Sequence, residues 1–165
     1  MSESKEENIQ RINGELHTVV AIQDASGNTI HHDVSRLKVE LTLTDVMQIL
    51  VGAAMLAIPT ALTEEVWTMG ETVSWFNVIA MLVIEYIIIA MFILLEAYQQ
   101  HIRAYKVEYI KRIVATLILS GLIVGVFLAL VGKLPLFSDP DIAIKRIIIG
   151  MLPASMSATV LDSFK

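Results

Sequence analysis

The sequence contains no cysteine and few basic residues, and these two shortages exclude several classes of protein. Without cysteine, the chain cannot form disulfides, thiolate nucleophiles or cysteine-ligated zinc sites. The twelve lysines and arginines are outnumbered by seventeen acids, which gives a net charge of −5, and they form no cluster in the polar N-terminal arm. A nucleic-acid-binding protein needs a concentrated basic surface, so that class is excluded as well.

Motifs of catalytic sites are also missing. The sequence has no Ser/His/Asp arrangement, no phosphate-binding glycine loop and no intramembrane zinc motif. We therefore expect a protein that is not an enzyme and binds no cofactor. The first ten residues, MSESKEENIQ, lack the basic start and apolar segment of a secretory signal peptide, so we expect the first apolar helix to direct insertion.

Hydrophobic residues are abundant and unevenly placed. They make up 55% of the chain, and the mean hydropathy of +0.66 is too high for an ordinary soluble domain. Long apolar runs predict four transmembrane helices, at about 46–67, 73–97, 113–132 and 142–164. The predicted fold is thus an all-α membrane protein, a four-transmembrane-helix subunit (44–165) preceded by a polar arm (1–43) with a small β-hairpin or strand segment.

Two of these boundaries depend on local signals. Residues 17–23 and 29–34 flank a turn-rich segment and predict a β-hairpin, and the alternation from Leu37 to Leu43 predicts a third strand. Either Thr44 or Asp45 is expected to cap the first helix. The fourth span is the weaker one because Lys145 and Arg146 shorten its apolar stretch. These cations could snorkel to the interface, or the segment could be re-entrant or lie on the surface.

Basic residues in the loops predict the orientation. The segment between the first two spans has no lysine or arginine, whereas residues 99–112 contain four. The positive-inside rule places that second loop in the cytoplasm, and both termini follow it there. Lys133, Lys145 and Arg146 would lie outside, which makes the bias moderate.

Glu85 is the most informative residue of the sequence, because it interrupts the middle of an isoleucine-rich span. A charged carboxylate at this depth is costly, so Glu85 should face protein or water, be paired, or be protonated. Asn77, Met81, Glu85, Phe92 and Glu96 recur at near-helical intervals, and this stripe could line an ion pathway. The alternative is that Glu85 forms a hydrogen bond to a neighbouring helix and has only a structural role.

A second acidic group follows the first span. Glu64, Glu65 and Glu71 fall within eight residues and have no basic neighbour in sequence, so they could collect cations at an outer mouth, with simple solvation as the equal alternative. Pro59 is expected to kink the helix just before them and to free a backbone carbonyl. Glu64, Glu65 and Glu85 are the possible cation ligands.

The fourth span also contains a proline and an acidic residue, and small residues in the third and fourth spans predict close helix packing. Pro153 is a second expected kink, and Asp162 near the end of the span is a further candidate for the ion pathway. Small residues recur on single helix faces and permit close helix packing; the clearest are Gly121, Gly125, Gly150 and Ala154. Packing within the chain is favoured over a dimer interface.

The stretch GAAMLAIPTALTEEVWTMG, residues 52–70, resembles a segment found in a family of integral membrane proteins from bacteria and archaea that has no assigned function. The resemblance lies in an apolar run ending in Pro59, followed by Thr63, Glu65 and Trp67. Residues 152–155, LPAS, are similar to a later proline-containing helix of that family. The resemblance implies a protein of the prokaryotic inner membrane and supplies no substrate.

Two functions are compatible with these features. The first is cation transport across the inner membrane, as an oligomeric channel or a proton-coupled carrier that uses the carboxylate of Glu85. Because four helices seldom enclose a pathway alone, this hypothesis predicts a homo-oligomer in the lipid bilayer, with cations as ligands. The second is a non-transporting scaffold or interaction subunit that docks partners through its N-terminal segment.

Overall fold

The computed structural model describes residues 7–12, 15–23, 29–36, 40–98 and 105–163. The chain forms two compact units, residues 1–40 and residues 41–165. The first is built from strands and the second from helices. The predicted fold, four membrane-spanning helices with a short strand segment at the N-terminus, is confirmed.

The first unit is a three-stranded antiparallel sheet in the order β1 (Glu7–Ile12), β2 (Glu15–Gln23) and β3 (Thr29–Arg36). The hairpin of β2 and β3 lies where the sequence predicted it, with Val19 opposite Val34. The remaining strand precedes this hairpin, whereas the prediction placed it after, at 37–43. In the sequence, Asn13-Gly14, a pair that favours tight hairpins, separates the paired Ile12 and Glu15 and is the local signal for this earlier strand.

Only part of the predicted strand 37–43 can be compared with the structure, because residues 37–39 lie outside the described residues. Leu43 belongs to the first helix and not to a strand. The helix cap also lies two or three residues earlier than predicted. Thr42 is the N-cap: its Oγ1 accepts the Asp45 N–H at 3.4 Å, and the Asp45 carboxylate accepts the Thr42 N–H at 2.8 Å.

The second unit contains five α-helices within the described residues. They are α1 (Leu43–Ala61), α2 (Glu64–Thr72), α3 (Trp75–Ile93), α4 (Lys106–Leu130) and α5 (Pro140–Ser163), and a π-helical turn (Leu94–Tyr98) extends α3. All except α2 are long and apolar enough to cross a bilayer. With nine residues, α2 is roughly 13 Å long and too short to span.

The short helix α2 corrects the first predicted span, which ran without a break from 46 to 67. The helix α1 ends at Ala61, and Thr63 begins a new helix as the N-cap of α2. Pro59 does not cause this break, because it lies inside α1. Two acids in the first turn of α2 interact favourably with the positive end of its dipole, which explains why a helix starts there.

The helix α5 is the centre of this unit and contacts α1, α2, α3 and α4. Small side chains permit these contacts. A Cβ atom on Gly52 of α1 would lie 2.7 Å from the Cα of Ala158, so the two backbones touch at this point. Ala53, Ala57 and Ala154 continue the same buried core, and Gly150 of α5 packs against Val124 of α4. Gly121 and Gly125 lie against Ile147.

Lys145 and Arg146 do not shorten the fourth helix. They lie inside α5, whose 24 residues extend roughly 36 Å, and both side chains are buried by protein. Lys145 Nζ lies 3.0 Å from Asp141 Oδ2, one turn earlier on α5, whereas Arg146 binds acidic and carbonyl partners from other segments.

Candidate functional site

Glu85 is fully buried, with 0% of its surface exposed, at the middle of α3. It lies ten residues after the first residue of α3, or roughly 15 Å along the axis, which is half the thickness of a hydrocarbon core. Its Oε1 accepts a hydrogen bond from Ser155 Oγ of α5 at 2.6 Å. Its Oε2 is buried and has no hydrogen-bond partner among the described residues.

The predicted stripe around Glu85 is not a single face in the structure. Asn77, Phe92 and Glu96 are exposed and Met81 is half-buried, so none of them shares the full burial of Glu85. Each step of four residues advances about 40° beyond a full turn, so Asn77 and Glu96 point roughly 100° apart. The face that packs against other helices instead carries Val78, Glu85, Ile89 and Ile93.

Buried polar side chains recur at near-helical intervals on α4 and on α5. We call them the polar seam; they are Ser155, Thr159 and Asp162 on α5, and Arg112, Thr116 and Ser120 on α4. The hydroxyl of Thr159 donates to the Ser155 carbonyl at 2.7 Å, and that of Thr116 donates to the Arg112 carbonyl at 2.9 Å. The seam runs from the depth of Glu85 to one end of the helical unit, which we call the Asp162 end.

An ion cluster closes the polar seam at the Asp162 end. Nε and Nη2 of Arg112 donate to Asp162 Oδ2 at 2.9 and 2.6 Å, and Asp45 Oδ2 lies 3.9 Å from the same Nη2. The three residues come from α4, α5 and α1, with 3%, 7% and 1% of their surfaces exposed. The start of α1, the start of α4 and the end of α5 therefore lie together.

Sequence reasoning identified Asp162 but missed its partners. Arg112 was counted as a loop residue, because the third span was predicted to begin at 113, whereas α4 begins at Lys106. Asp45 was interpreted only as a helix cap. The spacing of Arg112, Thr116 and Ser120, at i, i+4 and i+8, was the signal that could have placed Arg112 on a buried face.

The acidic group at the opposite end, which we call the Arg146 end, is not free of basic partners. Arg146 Nη2 donates to Glu71 Oε1 at 2.6 Å, so the prediction of three acids without a nearby base is wrong for Glu71. Arg146 also donates to the carbonyl of Trp67 at 3.1 Å and to that of Lys133 at 2.7 Å. The fold returns α5 beside α2, which sequence distance could not reveal.

Glu64 and Glu65 are exposed in the first turn of α2, beside a shallow surface depression shared with Thr68 and Met69. Because α2 packs through Val66 against Val78 near the start of α3, Glu85 lies seven residues, or roughly 10 Å, deeper. The three predicted cation ligands are thus not brought into one site. Within the described residues, no group of three or more His, Asp or Glu side chains could hold a metal ion.

Both predicted kink prolines lie inside helices, Pro59 in α1 and Pro153 in α5. Proline has no backbone N–H, so the carbonyl four residues earlier loses its intrahelical donor. In α5 this carbonyl belongs to Ile149. Pro153 lies two residues before Ser155, the hydrogen-bond partner of Glu85. The backbone carbonyl that lacks its intrahelical donor is therefore in the same part of α5.

Comparison with known proteins agrees with the membrane fold. Residues 39–164 match a family model whose description reads "Putative integral membrane protein (DUF2391)". No curated protein and no solved structure matches the chain. The match covers all of the helical unit except its last residue, and it confirms the resemblance to a membrane-protein family without an assigned function. The chain therefore belongs to the DUF2391 family of integral membrane proteins.

Proposed function

We propose that this protein transports cations across the inner membrane of a prokaryote, as a proton-coupled carrier in which the carboxylate of Glu85 takes up and releases a proton. The observation that carries the proposal is the burial of Glu85 at mid-membrane depth with a single hydroxyl as partner. A carboxylate in such a place is expensive, and buried ionisable residues of membrane helices commonly belong to ion or proton pathways.

The contact with Ser155 suits a group that changes its protonation state. Ser155 Oγ lies 2.6 Å from Glu85 Oε1 and 3.1 Å from the carbonyl oxygen of Leu152, but it has one hydrogen to donate. When Glu85 is ionised, Ser155 donates to it. When Glu85 is protonated, Glu85 donates to Ser155, and the hydroxyl turns to the Leu152 carbonyl, so that both states are hydrogen-bonded.

The polar seam supplies a direction for the proton. Ser155 and Asp162 are seven residues apart on α5, or roughly 10 Å, a distance that a few water molecules can bridge. We propose that the Asp162 end faces the cytoplasm, since the base-rich segment 99–112 leads into α4 there. Both termini then lie in the cytoplasm. Four helices enclose little space, so we propose a homo-oligomer with the outer part of the path between subunits.

Proton flux into vesicles tests the proposal. The purified protein is reconstituted in liposomes, and internal pH is followed after a cation gradient is imposed, for wild type and for Glu85→Gln. We expect the flux of Glu85→Gln to fall to the level of empty vesicles, because glutamine keeps the shape of the side chain but cannot carry a proton.

The matched control is Glu108→Gln, which changes a carboxylate near the surface in the first turn of α4 that pairs with Lys111. This control should transport as the wild type does. Equal flux in wild type, Glu85→Gln and empty vesicles, with both proteins folded, would remove transport from consideration.

A second candidate function is that of a membrane scaffold. It is favoured by the N-terminal sheet, a compact unit of its own whose outer strands, β1 and β3, each pair on one side with β2. Open strand edges can pair with a strand of another protein. In this function Glu85 would only join α3 to α5, and Glu85→Gln would lower stability without changing any flux.

A further inference from the structure

The helices α3 and α5 run parallel, so the contacts on either side of Glu85 can be located by counting residues. Trp75 Nε1 donates to Asp141 Oδ1 at 2.6 Å near the start of both helices, and Ser155 Oγ donates to Glu85 Oε1 at 2.6 Å in their middle. A step of seven residues is almost two full turns, or roughly 10 Å, and returns to the same helix face. The residues seven positions earlier therefore form the α3–α5 contact on the side of Glu85 that leads to the Arg146 end.

The short helix α2 closes the α3–α5 interface at this contact. The residues seven positions earlier are Val78 on α3 and Ile148 on α5. Val78 belongs to an apolar cluster that includes Val66 of α2, and Ile148 packs against that cluster. Met81, which is one turn from Glu85 on α3, packs against it as well. Because Val78 is 0% and Val66 is 7% exposed, α2 separates this part of the interface from water.

One ionic contact holds α2 against α5. Arg146 Nη2 donates to Glu71 Oε1 at 2.6 Å, and Arg146 Nε donates to the Trp67 carbonyl at 3.1 Å. A Cβ atom on Gly70 would overlap Cγ of Arg146, so this glycine gives the arginine room to pass α2. The Arg146 side chain is 8% exposed, whereas that of Glu71 is 56% exposed. The buried half of the pair therefore belongs to α5, and the half that water can solvate belongs to α2.

The other contacts of α2 are few. Only Val66 and Gly70 of its nine residues are buried, and two residues connect it to the neighbouring helix at each end. Trp67 Nε1 donates to the Ala61 carbonyl at 2.9 Å, which attaches α2 to the end of α1 and not to α5. Moving α2 away from α5 therefore breaks the ion pair, one hydrogen bond to a carbonyl and a small apolar contact.

We infer that α2 is a lid over the route from the Arg146 end to Glu85 and that the Glu71–Arg146 pair is its latch. This inference rests on the proposed function, in which Glu85 exchanges its proton with each face of the membrane in turn. At the Asp162 end, the pair of Arg112 and Asp162 is buried on both sides, with 4% and 8% of the side chains exposed. The lid has a half-exposed partner in its latch, so its closure is the easier one to release.

The absence of cysteine permits a direct test, because one introduced cysteine is then the only thiol of the protein. Val78→Cys places this thiol beneath α2, and Ile148→Cys gives a second position at the same level. The rate of labelling by a membrane-impermeant maleimide is measured in nanodiscs, with and without Glu71→Gln. We expect Glu71→Gln to raise the rate about 5-fold, because glutamine keeps the shape but loses the charge of a partly exposed ion pair.

Two controls separate release of the lid from a general loosening of the protein. Glu108→Gln makes the same change at the Asp162 end, where Glu108 pairs with Lys111, and should leave the labelling of Val78→Cys unchanged. Ser120→Cys replaces a 0% exposed side chain of α4, and its labelling should stay slow when Glu71→Gln is present. Unchanged labelling of Val78→Cys in Glu71→Gln, or an equal increase at Ser120→Cys, would overturn the inference.

Failure of the lid can be separated from failure of the proposed function. Proton flux that depends on Glu85, in a protein whose labelling does not respond to Glu71→Gln, would refute the lid and leave proton transport standing. Faster labelling of Val78→Cys in Glu71→Gln, in vesicles without proton flux, would support a movable α2 and refute the proton-coupled carrier.

Discussion

Removing Arg112 should destabilise the protein strongly, because its guanidinium compensates two buried carboxylates. In Arg112→Met an apolar side chain of similar length replaces it. Two hydrogen bonds to the charged Asp162 are lost, each worth about 1.5–3 kcal/mol. The attraction to Asp45 at 3.9 Å, of order 4 kcal/mol at an effective dielectric constant near 20, is lost as well.

Part of this loss is recovered when the pair is replaced as a whole. Breaking a buried ion pair typically costs about 3–5 kcal/mol, whereas replacing both partners by apolar groups can be nearly neutral. We therefore expect Arg112→Met to lower the free energy of unfolding by about 3–5 kcal/mol. The double variant Arg112→Met/Asp162→Leu should be more stable than Arg112→Met, which leaves Asp162 buried without its partner, and should reveal a coupling of about 2 kcal/mol or more.

Reversible unfolding in mixed micelles, titrated with a denaturing detergent and followed by circular dichroism, measures these differences. Lys111→Met is the matched control. Lys111 is the neighbour of Arg112, 58% of its side chain is exposed, and its pair with Glu108 spans one helical turn. Such a pair contributes about 0.3–0.5 kcal/mol. The reasoning is refuted if Arg112→Met costs no more than Lys111→Met, or if the effects in the double variant simply add.

Two further predictions concern the packing and the start of α1. Gly52→Ala should lower the free energy of unfolding by about 1–3 kcal/mol, because its Cβ would lie 2.7 Å from the backbone of Ala158; the same unfolding titration measures this, and a neutral result would show that the helices can separate at no cost. Thr42→Ala should cost about 1 kcal/mol by removing the capping hydroxyl, and an effect below that of an exposed control such as Thr68→Ala would contradict the assigned cap.

The sequence was sufficient to predict the parts of the fold that depend on the bilayer. A membrane-spanning helix must be long, apolar and internally hydrogen-bonded, so its presence is recorded in local composition. For the same reason Glu85 could be recognised as an exception before its surroundings were known. The hairpin of β2 and β3 was also predictable, because turn residues separate two β-branched segments.

Contacts between helices could not be predicted in the same way. Whether Arg112 belongs to a loop or to a buried cluster is decided by Asp162, fifty residues later, and by the angle at which α4 crosses α5. The same holds for Arg146, whose partner Glu71 is 75 residues away. In a hydropathy profile, each arginine lowers the score of a membrane-spanning segment. Only the tertiary fold shows the acidic residues that compensate these charges.

The break between α1 and α2, within the first predicted span, could not be predicted for a different reason. Residues 46–67 are apolar enough to continue as one helix, and Pro59 drew attention to the wrong position. The signal lay in Thr63, Glu64 and Glu65, a capping residue followed by two acids, which is a typical helix start. The predicted role of these acids as an ion collector does not include this local structural role at the start of α2.

At the contact between Gly52 and Ala158, α1 and α5 pack backbone against backbone, with no room for a further side-chain atom on Gly52. The helix α3 is attached differently: its hydrogen bonds to α4 and α5 pass through side chains, from Trp75 to Asp141, from Ser155 to Glu85 and from Tyr109 to the Ala90 carbonyl. A side chain can change its rotamer and move its end by several ångströms, whereas two backbones in direct contact cannot separate without losing that contact. In the proposed carrier, the movement that exposes Glu85 first to one face of the membrane and then to the other would therefore belong to α3.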